Sequence, residues 1–186
     1  MATAANVRVG KPEAASGGVY SGPLTATAPT DASTSLAGGA SGFGALGLVG
    51  DDGLKQTIDT DTTDIKAWGG DTARTVRTSH SVKYALTLIE TSPAVLEEVF
   101  GKDNVTVTSG KIKVAINSKE LPKRNWVFQM LDGNIPIRVH VPIGQITNLD
   151  DINFVDDDAI GYPIEVTAYP NNAGDKAYLY LDPAAS

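Results

Sequence analysis

The side chains able to do chemistry are few: the chain carries two histidines, His80 and His140, and no cysteine. The missing thiols exclude disulfides, thiolate metal sites and cysteine nucleophiles together. A Ser-His-Asp triad or a histidine-rich zinc site would have to be built around one of the two imidazoles. Neither is accompanied by a nucleophile elbow or an H-E-x-x-H helix. His80 falls on the apolar side of an alternating strand pattern, which predicts a satisfied core histidine, whereas His140 shares the polar side of an edge strand with Arg138. Gly42, Gly44 and Gly47 spell G-x-G-x-x-G. That spacing cradles a pyrophosphate only between a strand and a helix, and with neither flanking it the motif reads as a flexible segment.

Carboxylates and tryptophans supply the other candidates. Asp59, Asp61 and Asp64 begin like a calcium loop, but Thr63 holds the third ligand position, the turn glycine is missing, and Gly70 stands where a bidentate acid should close the shell. Asp150, Asp151, Asp156, Asp157 and Asp158 form an acidic cluster with no base among residues 147–158. It reads as a solvated loop face, with an electrostatic surface or a weak divalent ion as the alternatives. Trp126 alternates with Phe128 and Met130 and is most simply core; Trp68, in a polar stretch beside Gly69 and Gly70, is a candidate interface anchor. These groups make no catalytic constellation, and no cofactor or metal is expected.

The elements that carry them are mostly strands. Between residues 72 and 90, Val76, His80, Val82, Tyr84, Leu86 and Leu88 alternate with Thr75, Arg77, Ser79, Ser81, Lys83 and Thr87. Such period-two alternation marks a half-buried strand, yet strands usually run to about 3 to 10 residues, so one of nearly twice that length must bend or project beyond its core. A projecting strand needs a partner, and another copy is the natural one. Residues 54–72 read as a long polar loop feeding this strand. After it, Ser92 suits an N-cap, Pro93 the first helical position and Gly101 the stop, with Val95, Leu96, Val99 and Phe100 on one face of a two-turn helix and Glu97 and Glu98 on the other. Further strands are predicted over 105–108, over 111–117 with Ile112, Val114 and Ile116 facing inward, and over 124–131 and 135–143, joined through Asp132, Gly133 and Asn134. Pro136 and Pro142 put the last of these at a sheet edge. Residues 160–169 and 176–181 read as a final hairpin.

Low aromatic content, 6%, with Val, Ile and Thr dominating the patterned regions predicts a mainly β (α+β) fold in 186 residues. Residues 1–53, with 10 of the 19 glycines before Asp51, read as a Gly/Ala-rich arm with one or two short strands, followed by a β-sandwich domain over 54–186. A formal net charge of -7 opposes docking onto nucleic acid. The first eleven residues lack the apolar core of a signal peptide, and the longest near-apolar run, 42–50, is too short to cross a bilayer, so a soluble protein made in a cytoplasm is expected.

Several stretches, in this order and spacing, resemble the major tail (tail tube) proteins of long-tailed phages of Gram-positive, particularly actinobacterial, hosts. They are Leu46-Gly47-Leu48-Val49-Gly50 with Asp52-Gly53-Leu54, the run from Thr63 to Asp71, the run from Tyr84 to Glu90, Asn117-Ser118-Lys119-Glu120-Leu121-Pro122, and the run from Asp156 to Tyr162 leading into a strand at Thr167. The resemblance implies a β-sandwich or split barrel with one short helix and an extended N-terminal arm, assembled without chemistry into homohexameric rings that stack into a hollow tube in the virion tail. It implies a tape measure protein inside, tail terminator and tail tip proteins at the ends, DNA passing without specific binding, assembly in the host cytoplasm and no membrane contact. Ring stacking is then expected from the 54–72 loop, through Asp59, Asp61, Thr62, Asp64, Lys66 and Trp68, with the 150–158 carboxylates as candidates for an acidic lumen or surface. A head-tail joining ring or capsid decoration protein, and a polysaccharide-binding β-sandwich module using Trp68 and the aspartates, are the alternatives.

Overall fold

The computed structural model describes residues 7–13, 16–36 and 41–182; the remaining parts of the expected arm, and the last four residues, lie outside them. The strands are β1 (Lys11–Pro12), β2 (Val19–Gly22), β3 (Gly44–Ala45), β4 (Lys55–Lys66), β5 (Thr72–Leu88), β6 (Val105–Thr108), β7 (Lys111–Val114), β8 (Arg124–Asp132), β9 (Ile135–Leu149), β10 (Tyr162–Ala168) and β11 (Tyr178–Leu181), with one α-helix, α1 (Pro93–Phe100), after β5. The fold is therefore mainly β with one short helix, as the composition and alternation predict.

Nine strands form one antiparallel sheet in the order β3-β2-β8-β9-β10-β5-β4, with β1 also on β8 and β11 on β9, while β6 and β7 pair separately. The sheet cannot be flat. Strands β5 and β8 are three positions apart, roughly 14 Å in a flat sheet, yet the Tyr84 and Phe128 rings stack with centroids 5.3 Å apart. The segment after β3 closes the curl: Leu46 N–H donates to Val19 of β2, and Ile89 N–H to Leu48, while Val49 bridges to Leu88. The margins of the sheet thus meet around the main apolar core, which contains Val19, Trp126, Phe128, Val141, Ile164, Val166 and the inner end of β5, while Tyr20, Leu36, Phe43 and Val127 form a smaller second cluster. Gly144 shows how tight it is, since a Cβ there would lie 2.7 Å from the Trp126 ring and 2.9 Å from Val166.

Helix α1 packs on this core through Val95, Leu96 and Val99, and its start is capped by the Ser92 hydroxyl accepting from Val95 N–H at 3.4 Å. Glu98 does not face solvent as expected. Its side chain is 8% exposed, held by Arg124 at 3.1 Å and Ser21 at 2.7 Å. Burial pushes the Glu98 carboxyl up, against the pull of Arg124.

Four other expectations change. Strand β9 is internal, not an edge, because Pro136 and Pro142 sit where no ladder donor is needed: Pro142 falls in the irregularity between the Trp126–Val141 and Arg124–Gly144 pairs. Strands β10 and β11 are not a hairpin; both run antiparallel to β9, one continuing where the other stops, separated by the 170–177 excursion. Ile112 and Ile116 point outward, 39% and 82% exposed, and only Val105 and Val114 of the β6–β7 hairpin reach the core. Most of the 54–72 loop is strand β4, paired with β5 along its whole length, with a turn over residues 67–71 joining the two. The described part of the 1–53 segment carries three short strands, β1, β2 and β3, with Val19, Tyr20, Leu36, Phe43 and Leu46 buried within the chain itself.

Candidate assembly interface

Strand β5 spans 17 residues, but only Lys83–Leu88 pair with β10; beyond that point its single partner is β4. The outer halves of β4 and β5 therefore leave the sheet as a two-stranded ribbon with exposed side chains on both faces. At its base Lys83 pairs with Glu165 at 2.9 Å, and the Lys176 ammonium donates to the His80 carbonyl. His80 itself is exposed, not a core histidine, because the sheet that would cover it ends before it.

The uniform alternation expected along β5 breaks at Thr78. Asp61 pairs with Ser79 and Thr62 with Arg77, leaving Thr78 as the extra residue of a bulge. A one-residue slip turns every following side chain over, so Val76 lies on the opposite face from Val82. Five of the six residues expected to make the contact, Asp59, Asp61, Thr62, Asp64 and Lys66, lie on β4, and the structure brings them into one exposed strand. The Asp61 carboxylate accepts from Ser79 and the Asp64 carboxylate from Thr75, each at 2.6 Å, cross-strand bonds that stiffen the ribbon. Trp68 sits at the tip, 107% exposed, in a turn made by Gly69 and Gly70 at φ of 116° and 99°. Ile58 and Ile65 add exposed apolar surface along the ribbon. A two-stranded ribbon is marginal in water by itself, and a long free edge pairs readily with another chain.

The acidic cluster is elsewhere. Asp150, Asp151, Asp156, Asp157 and Asp158 are all exposed in the connection from β9 to β10, where Asp150 accepts from Asn148 at 2.7 Å. Asp151 and Asp158 line a groove with Asp51 and Asp52, at the start of β4. Trp68 stands at the other end of that strand, so the tryptophan and the aspartates do not form one site. Among the described residues no three of His, Cys, Asp and Glu are grouped to hold a metal ion. Gly47 belongs to no cofactor loop either: with φ of 79° it lets the Glu90 carboxylate approach the backbone and accept from Leu48 N–H at 2.8 Å.

A buried polar layer escaped the sequence reading. Arg138 and His140 are 2% and 1% exposed, not on a solvated edge. The Arg138 guanidinium donates to Gln129 at 2.6 Å, to the Asp31 carbonyl at 2.8 Å and to the Thr34 carbonyl at 2.7 Å, which pins the 31–36 segment over the outer face of the sheet. His140 Nε2 lies 2.8 Å from Asn125 and its ring stacks on Tyr178 of β11, while Nδ1 has no partner among the described residues. Burial first, and the Arg138 charge second, hold this imidazole down to about 4. The signal available in the sequence was only that Asn125, Gln129, Arg138 and His140 share one strand face; nothing local showed that a distant segment covers it.

Solved structures with some likeness include an extracellular contractile injection system, PVC sheath/tube terminator in the extended state (15% identity, 70% of this chain and 89% of that one, TM-score 0.40). They also include the anti-feeding prophage tube terminating cap (12% identity, 98% and 100%, TM-score 0.45) and the virion of a native gene transfer agent particle (8% identity, 75% and 88%, TM-score 0.41). No curated protein matches in sequence. A family model described as phage tail tube protein matches residues 5–185, and the chain therefore belongs to the phage tail tube protein family, a structural component of the phage tail and not an enzyme.

Proposed function

We propose that this chain is the repeating subunit of the tail tube of a long-tailed, noncontractile phage. Six copies close a ring, and rings stack into a hollow conduit through which DNA leaves, around a tape measure protein and between tail terminator and tail tip proteins, with assembly in the host cytoplasm. The observation that carries this reading is the β4–β5 ribbon. Strand β4 is 12 residues long, pairs on one side only among the described residues, and buries almost nothing. Such an edge is an aggregation hazard unless it is meant to be covered, and in a family of tube proteins the cover is another copy. The contact between stacked copies is assigned to Asp59, Asp61, Thr62, Asp64, Lys66 and Trp68. The sixfold ring, the tape measure protein and the noncontractile tail rest on the resemblance of the sequence. A net charge of -7 suits a lumen that DNA slides through, with the 150–158 aspartates as its candidates.

The test shortens the ribbon without disturbing the barrel. Thr60 pairs with His80, so residues 61–79 can be replaced by an Asn-Gly turn that closes a two-residue hairpin. The shortened protein is expected to unfold at about the same denaturant concentration as the natural one and to stay monomeric where the natural one forms tubes in electron micrographs. Tubes of normal length from the shortened protein would overturn the reading.

A further inference from the structure

We infer that Trp68 at the ribbon tip of one subunit seats in the apolar cleft beside the start of β4 on a second copy of this chain, an inference that rests on the ribbon being the contact between copies. The cleft has a volume of about 240 Å³ and lies between Gly10, Pro12, Gly17 and Gly18 on one side and residues 49–54 on the other. Its walls are Val19, Val49, Leu54, Leu86, Phe128 and Met130, and its rim carries Asp51. Small-molecule pockets usually span about 300–1,000 Å³, so this one suits a single large side chain. The other large cavities offer charge instead: one holds Glu13, Arg138 and Asp182, another Asp51, Asp52, Asp151 and Asp158.

Three observations choose a second copy as the occupant. First, Trp68 is fully exposed on a turn that presents it at the end of the ribbon, and an indole left in water gains most by burial against apolar walls. Second, tip and cleft lie at opposite ends of β4, whose 12 residues span about 40 Å when extended. The ribbon of one subunit therefore does not fill its own cleft. Third, Lys66 and Arg74 flank the tip against a single Asp71, while Asp51 and the adjoining groove with Asp52, Asp151 and Asp158 are acidic and carry no base. A knob at one end and a hole at the other make a heterologous contact, and one that runs along the ribbon from ring to ring, without a rotation that closes it, builds an open stack. The offset between successive copies is then at most about 40 Å, the length of β4.

The chain has no cysteine, so a disulfide can report the contact cleanly. Ala67→Cys and Asp51→Cys in one chain leave Trp68 in place and put a thiol beside the knob and another on the rim. Oxidation of the concentrated double variant is expected to give a covalent ladder of trimers and higher multimers, with nothing above a dimer from either single variant. The ladder is read whether or not tubes form. Trp68→Ala is expected to raise the concentration needed for assembly about tenfold or more, as loss of a central aromatic anchor does, with the unfolding midpoint unchanged. A missing ladder, or assembly of Trp68→Ala at the natural concentration, overturns this seating. If the shortened ribbon still blocks tubes in that case, the tail tube reading stands and only the seat is wrong. Tubes from the shortened ribbon would remove both.

Discussion

At the scale of single residues, His140 is the group whose chemistry the fold changes most. An imidazole that titrates near 6.5 when the chain is unfolded is held at about 4 in the barrel, by burial and by Arg138 beside it. Above the unfolded value both states are neutral and nothing depends on pH. As the pH falls between the two values the unfolded chain takes up a proton that the folded one refuses, so stability falls with it and levels off below the folded value. The full difference is about 3 kcal/mol. Urea unfolding between about pH 7 and pH 4 should show this decline, and His140→Gln should remove most of it. Glu98 works in the opposite sense: its raised carboxyl costs stability as the pH rises, so the variant should be flat or slightly more stable in mild acid. Asp31 is held low by Thr34 and loses its contribution only below the ordinary carboxylate range, beneath this window. An unchanged decline in His140→Gln would place the pH dependence elsewhere.

At the scale of elements, the two halves of β5 have opposite fates. From Val82 to Leu88 the alternate residues are buried, and from Lys83 onward the strand pairs with β10; from Thr72 to Ser81 it has β4 alone and solvent on both faces. Hydrogen bonds with no burial around them open locally at little cost, whereas those in a packed barrel open only with the whole domain. Amide exchange in the free subunit should therefore be fast at residues 58–80 and slow in β8 and β9, a difference of several orders of magnitude that shrinks on assembly. Equal protection of ribbon and barrel in the free protein would mean that the ribbon is already covered. Much of this was legible in the sequence: the excess length of β5, its inward Val82, Tyr84, Leu86 and Leu88, and helix α1 with its Ser92 cap. The partner was not, because residues 55–66 are polar on both faces, and a strand that buries neither face has no period-two signature to read.

For the whole molecule, a free ribbon at one end and a cleft at the other favour growth over closure. Light scattering and electron microscopy of concentrated protein should show hollow tubes of uniform width with no fixed length; single rings that never stack would favour a head-tail joining role instead. The sequence by itself determined the class of fold, the helix and its caps, the overlong strand and the family likeness, because these depend on local periodicity, capping chemistry and the order of short motifs. It placed His80 inside and Arg138 and His140 outside, and the tertiary structure reversed both. The physical reason is the same in each case. Burial belongs to a pair of surfaces, and the second surface, a sheet that stops before His80 or the 31–36 segment that covers Arg138, comes from residues far away in the chain.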